Sequence, residues 1–309
     1  MGKFTRYKKY SSNRRLYWKP SKEIKMIYIS TSCVKAKTIK EAVNTLLSKG
    51  FKNIELSGGT EYYPDLENDL YITKQNTNVN FLLHNYFPPP KSHFVLNLAS
   101  LNDEIYDKSI EHYKRALDLS NRLNSKKFGL HAGFLIDPRI NELGKSINKQ
   151  VMYDRSKSID RFCSGVELLS SYTSETEIHI ENNVFSEKNK KKFQSNPFLF
   201  TDYEGYKELS KNLEFKVLLD VAHLKVSCKS LSISFIDELN KLGSIADYIH
   251  VSDNDGSKDS NNSLKKNSEM FENLTKINWE NKIVTLEVYE KLNEISKSYN
   301  LVKKLIRNN

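Results

Sequence analysis

From Met26 onward, short apolar runs alternate with longer amphipathic stretches. Met26-Ile-Tyr-Ile-Ser30 reads as a first strand, and Thr38-Ile-Lys-Glu41 is a capping box opening a helix through Leu47, closed by Gly50. Asn53–Leu56 predicts a second strand, ended by Gly58-Gly59, with a helix near Pro64–Lys74. Val79–His84 predicts the third strand, and Tyr106, Ile110, Tyr113 and Leu117 give residues 102–124 a helical stripe. Lys127–His131 is the fourth strand. Ile159, Phe162, Val166, Leu169 and Tyr172 mark a helix before the fifth, Glu177–Glu181. The second half keeps the same beat. A helix near 202–212 precedes a strand at 216–220, and the stripe Phe235, Ile236, Leu239 and Leu242 precedes a strand at Ala246–Val251. A polar loop, Ser252–Lys266, leads to a short helix near 267–276, a strand at Lys282–Glu287 and a final helix over about 291–306.

Eight strands, each followed by a helix or long loop, predict an α/β fold of the (β/α)8 TIM-barrel type, a parallel barrel with outer helices. An open doubly wound sheet is the alternative, but it would not bring many strand ends to one point. The period of about 35 residues carries no sequence repeat, which argues against a solenoid. The barrel is expected to occupy residues 26–309, preceded by a basic arm over 1–25.

Phe215-Lys-Val-Leu-Leu-Asp-Val-Ala-His223 shows what the strand ends hold. Asp220 and His223 there read either as a capped strand end with a surface histidine or as part of a site. The pattern recurs, with His84, His131, Glu181, His250 and Glu287 closing other apolar segments. At the mouth of a barrel, Glu181, Asp220, His250 and Glu287 would place three carboxylates and an imidazole together. Unpaired, such groups repel and desolvate one another, and a divalent cation resolves the conflict. Oxygen-rich ligation with one nitrogen suits Mn, Mg, Co or Zn.

The net charge of +10 raises a nucleic-acid hypothesis that its distribution weakens. Residues 1–25 hold nine Lys/Arg and a single acid, Glu23, whereas the rest holds 39 bases and 37 acids. The arm reads as a mobile leader or as a contact for phosphates or a neighbouring subunit, so a homo-oligomer is one option. No apolar window of about 18 residues suggests a membrane span. Cys33, Cys163 and Cys228 lack metal-site spacing and suggest a reducing, cytoplasmic setting.

Six segments, in order, carry a family resemblance. They are His84-Asn-Tyr-Phe-Pro88 with Asn97-Leu-Ala-Ser100, Leu130-His131-Ala-Gly133, Ile180-Glu181-Asn182, Leu219-Asp220-Val-Ala-His223, His250-Val-Ser-Asp-Asn-Asp-Gly256 and Leu286-Glu287. Over about residues 26–306 the chain resembles the xylose-isomerase-like barrels, which include sugar isomerases, ketose 3-epimerases and the endonuclease IV class of abasic-site nucleases. The epimerase resemblance implies one metal on Glu181, Asp220, His250 and Glu287, with Glu181 and Glu287 as the acid–base pair. It also implies a carbohydrate substrate, with His223 holding a hydroxyl; His84 is a further candidate contact, and Lys258 reads either as a contact for a substrate phosphate or carboxylate or as a solvated loop lysine. The nuclease resemblance implies a zinc cluster drawing also on His84, His131, His223 and Asp259, and a nucleic-acid partner. Its ninth ligand should be a histidine, and Asn261 stands there. The nine-residue spacing from His250 to Asp259 looks like the sugar-type members. The preferred expectation is a metal-dependent sugar or sugar-phosphate isomerase or epimerase. The alternatives are a zinc-dependent abasic-site endonuclease and a binding protein that keeps the site without turnover.

Other polar residues are weighed singly. His179, two before Glu181, should face the barrel interior as a hydrogen-bonded core histidine or a partner of a metal ligand. Glu55 sits similarly on the second strand, with a role in the site or a buried structural one both open. His93 and His112 read as surface residues, and Lys188–Lys192 as a solvated run. Pro88-Pro-Pro90 is expected to stiffen a wall of the mouth, and Cys33 shows no activating base.

Overall fold

The computed structural model describes residues 26–308 except 143–144, so the basic arm lies outside the described residues. Eight strands form a closed barrel in sequence order, every neighbouring pair parallel. They are β1 (Ile27–Ser30), β2 (Asn53–Leu56), β3 (Asn80–His84), β4 (Lys127–His131), β5 (Glu177–Glu181), β6 (Lys216–Asp220), β7 (Tyr248–Val251) and β8 (Ile283–Leu286). All eight expected strands are present, and the open sheet is excluded by the pairing of β1 with β8.

The surrounding helices are α1 (Ile39–Ser48), α2 (Leu66–Asn76), α3 (Asp103–Arg122), α4 (Arg155–Tyr172), α5 (Glu187–Lys190), α6 (Tyr203–Leu209), α7 (Val221–Leu231), α8 (Phe235–Ile245), α9 (Glu269–Leu274) and α10 (Leu292–Asn308). The capping box at Thr38 and Glu41 forms as expected. The sequence pattern marks no helix over 221–231, yet α7 follows β6 without a break. Asp220 caps it, its Oδ1 accepting the His223 backbone N–H at 2.7 Å. Because α7 buries nearly every residue from Val221 to Cys228, it shows no polar stripe to reveal it.

Outward-facing strand residues pack against the helices in one large apolar core. Inside the barrel, Tyr28, Leu82, Leu218 and Tyr248 form an apolar layer that separates the two ends. A smaller apolar cluster, including Phe134, Ile147, Phe185 and Phe198, sits under the loops after β4 and β5. His112, expected at the surface, is buried on α3 beside Phe94 and Tyr113. Its charged neighbours Glu111, Lys114 and Arg115 suggested exposure, but Ser109, His112, Tyr113 and Ala116 share the inward face. No helix of the described residues is long and apolar enough to cross a membrane.

Candidate metal centre at the barrel mouth

The C-terminal ends of the strands bring the expected side chains together. Glu181, at the end of β5, lies at the centre, with its Oε2 2.7 Å from His84 Nε2 and 3.0 Å from His131 Nε2. Its Oε1 lies 3.6 Å from both His223 Nδ1 and His250 Nδ1. Glu287, just past β8, approaches His250 Nδ1 to 3.8 Å, and His223 Nε2 lies 3.3 Å from Asp259 Oδ2. The groups His84–His131–Glu181, Glu55–His84–Glu287 and Glu181–Asp220–His250 each bring their ligand atoms within 4.8 Å of one another. Glu181, Glu287, His84, His131, His223 and Asp259 face a large cavity, whereas Asp220 and His250 lie beneath it. Lys258 stands exposed on the cavity wall. It forms no ion pair with these carboxylates, and neither does any other lysine or arginine among the described residues.

Local structure fixes the orientation of each ligand-type side chain. Glu55 Oε2 accepts hydrogen bonds from His250 Nε2 at 3.0 Å, from Thr285 Oγ1 at 2.9 Å and from the Tyr248 hydroxyl. With Nε2 engaged by Glu55, the ring nitrogen of His250 left over is Nδ1. That nitrogen is fully buried and has no hydrogen-bond partner. A carboxylate holding one imidazole nitrogen while the other points at further acids is the usual arrangement behind a metal-ligating histidine. His223 is held likewise, with Nδ1–H donating to the Asn182 carbonyl at 2.9 Å. Asn182 also accepts from the Asp220 N–H at 2.7 Å, tying β5 to β6. Gly129, paired with His84 across β3 and β4, makes room for the His84 ring, since a Cβ there would stand 2.5 Å from His84 Cδ2.

The electrostatics separate two carboxyl groups. Burial pushes Glu181 up, but the His131 and His84 imidazoles outweigh it and hold the group well below the ordinary carboxylate range. Burial pushes Glu287 up to about 7, with His250 and His84 only partly opposing it. Asp220 is pushed up to about 6 by burial, against the pull of His223. His131 is brought down to about 4 chiefly by burial. The orphaned His250 nitrogen, the converging carboxylates and the missing basic counter-charge together fit a divalent cation.

Several contributors were less legible than the ligands. Glu55 stands out as a buried acid on β2, but its partners Tyr248 and Thr285 come from distant strands. Asn182 and Gly129 carry local signals, an amide beside Glu181 and a glycine inside a strand. His179 belongs to the other end of the barrel. There it lies 2.8 Å from Asp247 Oδ1 and 3.0 Å from Lys127 Nζ, a hydrogen-bonded core histidine as the first of its two readings expects. Cys33 is buried, with its thiol donating to the Leu286 carbonyl. Lys190 of the basic run reaches the Ser230 carbonyl, and Lys188 lines the cavity. Pro89 and Pro90 line it too, as expected, and His93 is exposed at its edge.

A closed parallel barrel with ionisable groups gathered at the C-terminal ends of its strands defines a TIM barrel of the site-bearing kind. The chain belongs to the xylose isomerase-like TIM barrel family, whose profile matches residues 46–305. Among solved structures, a D-tagatose 3-epimerase-like protein aligns with a TM-score of 0.68 at 18% identity, over 92% of this chain and 97% of that one. Endonuclease IV from Thermus thermophilus aligns at 0.58 and 13%, over 92% and 100%. The IolI protein with a binding zinc atom aligns at 0.62 and 12%, over 92% and 99%. At these identities the likeness is one of fold. Curated protein sequences give no significant match.

Proposed function

We propose that this protein is a divalent-metal-dependent isomerase or epimerase of a sugar or sugar derivative. One observation carries the reading. Glu181 and Glu287 reach the same unpartnered nitrogen of His250 from two strands that are not neighbours, with no basic side chain to neutralise them. Glu181, Asp220, His250 and Glu287 would hold a Mn, Co, Mg or Zn ion, which when bound polarises a substrate carbonyl and the hydroxyl oxygen beside it. Glu181, held ionised by its imidazoles, takes the proton alpha to the carbonyl. Glu287 would return a proton to the same carbon. His223, with Nδ1 committed to Asn182 and Nε2 3.3 Å from Asp259 Oδ2, would meet a substrate hydroxyl in the space that His84 and Lys258 also line. The test is solvent exchange. In D2O, a panel of ketoses incubated with metal-loaded protein should gain deuterium at the carbon alpha to the carbonyl, and Glu181→Gln should lose that exchange while staying folded. Full exchange in that variant would remove the mechanism.

A second reading, an endonuclease IV-like zinc enzyme acting at abasic sites, is favoured by His84 and His131 on Glu181 and by His223 on Asp259, more imidazoles than one metal requires. Asn261 opposes it, because an amide is a poor zinc ligand. Metal analysis separates the two. One equivalent per chain fits the sugar enzyme, and two to three equivalents of zinc with nicking of abasic DNA fit the nuclease.

A further inference from the structure

The cavity above the centre measures about 1160 Å³. Pockets of ~300–1,000 Å³ suffice for drug-sized ligands, and a single hexose is much smaller than those. Its lining is divided by chemistry. On the side of β2 and β3, Thr60 Oγ1 and Asn85 Nδ2 are buried and lack any hydrogen-bond partner, and neither residue belongs to the ligand set. Asn85 already accepts the Tyr113 hydroxyl at 2.7 Å, so its free amide protons are fixed in direction.

The other side is apolar. Phe94, Phe134, Ile140, Ile147, Phe198 and Pro89 line it, from the loops after β3, β4 and β5. These loops are riveted together by two buried asparagines. Asn97 Nδ2 donates to the carbonyls of Phe134 at 3.0 Å and Ile136 at 3.1 Å, while its Oδ1 accepts the Phe134 N–H at 2.9 Å. Asn183 Nδ2 donates to the carbonyls of Ala132, Gly133 and Leu199. Phe134 and Phe198 then pair as an isolated bridge, with their rings edge to face at 5.7 Å. Phe134, Ile147 and Phe198 themselves belong to the small apolar cluster under these loops, so this part of the wall is a fixed surface.

We infer that the substrate has two parts: a ketose unit at the metal centre, its carbonyl free, and a second ring, joined through a hydroxyl away from that carbonyl, whose apolar face lies on the wall of Phe94, Phe134 and Phe198. This rests on the sugar reading of the centre. An aryl group and a second pyranose share the chemistry required, since each presents a flat C–H or π face to aromatic side chains.

Calorimetric titration of the metal-loaded protein with a free ketohexose, a disaccharide carrying that ketose at its reducing end and an O-benzyl ether of that ketose tests it. At least one of the two-ring compounds should bind about tenfold tighter than the ketohexose, the scale of one well-packed aromatic contact. Phe94→Ala should erase the difference. Ile140→Ser should reduce it, and with Ile140 51% exposed that variant does not threaten the fold. A gain confined to the disaccharide identifies a second sugar, and one confined to the benzyl ether an aryl group. Equal affinity for all three overturns the two-part ligand while leaving the sugar reading intact. Binding of none, with abasic DNA cut instead, overturns both.

Discussion

At the N-terminal end of the barrel, His179 lies between Asp247 and Lys127, and Lys127 Nζ also reaches Asp247 Oδ2 at 2.8 Å and Glu177 Oε2 at 3.2 Å. Lys216 adds a second contact to Glu177, at 2.6 Å. At the C-terminal end, His250 lies between Glu55, Glu181 and Glu287, and no lysine or arginine of the described residues joins them. By proximity alone, Glu177–His179–Asp247 qualifies as a metal-binding group just as the mouth clusters do. The difference is the cation already present. At the foot a lysine ammonium neutralises the acids, so the network is closed and structural. At the mouth the charge is open and one imidazole nitrogen is unclaimed. Spacing of histidines and carboxylates therefore does not identify a metal site until the basic neighbours are counted.

The comparison can be broken from either end. The largest effect is expected from Glu181→Gln, which should lower turnover by about 10³-fold or more with the fold intact by circular dichroism. Next is Glu55→Gln, which unlocks the His250 tautomer and should weaken metal affinity by ~10–100-fold in a competition titration with a chelator. Unchanged affinity would show that His250 needs no orienting partner. A saturating divalent cation should stabilise the wild type by about 2.7 kcal/mol at a hundredfold excess over Kd, read as a rise in melting temperature that shrinks in Glu55→Gln.

Asp247→Asn should leave metal content unchanged and cost ~1–2 kcal/mol of stability, discounted because the aspartate is 39% exposed. Although burial works against it, His179 and Lys127 hold the Asp247 carboxyl well below its ordinary value. A depressed carboxyl lends stability above its unfolded pKa, near 4, and that stability is lost as pH falls below it. The wild type should lose melting temperature in this acid range more steeply than Asp247→Asn. Parallel curves would show that the foot contributes no such linkage.

Much of this was legible in the sequence, for physical reasons. A parallel strand buried on both faces reads as a short apolar run, and an ionisable residue ending such a run is conspicuous, which is how Glu181, Asp220 and His250 were found. Helix α7 was not legible, because a helix buried on all sides has no periodic polar face. His112 misled for the opposite reason, since charged neighbours in sequence lie on the other side of α3. Glu55 was visible as an odd buried acid, but its role depends on Tyr248 and Thr285, set beside it only by closure of the barrel. The foot and the mouth could not be told apart either, because Lys127 and Asp247 are brought to His179 from strands far apart in the chain.

The paired asparagine rivets bear on how such a protein can change. Because Asn97 and Asn183 saturate backbone groups of the loops after β4 and β5, those loops behave as masonry and not as hinges. Retargeting the cavity to another ligand then becomes a matter of exchanging the tiles, side chains such as Phe94 and Ile140, while the wall behind them stands. A loop graft would lift the rivets with it, whereas a small library at those facing positions would search ligand space at little risk to the barrel.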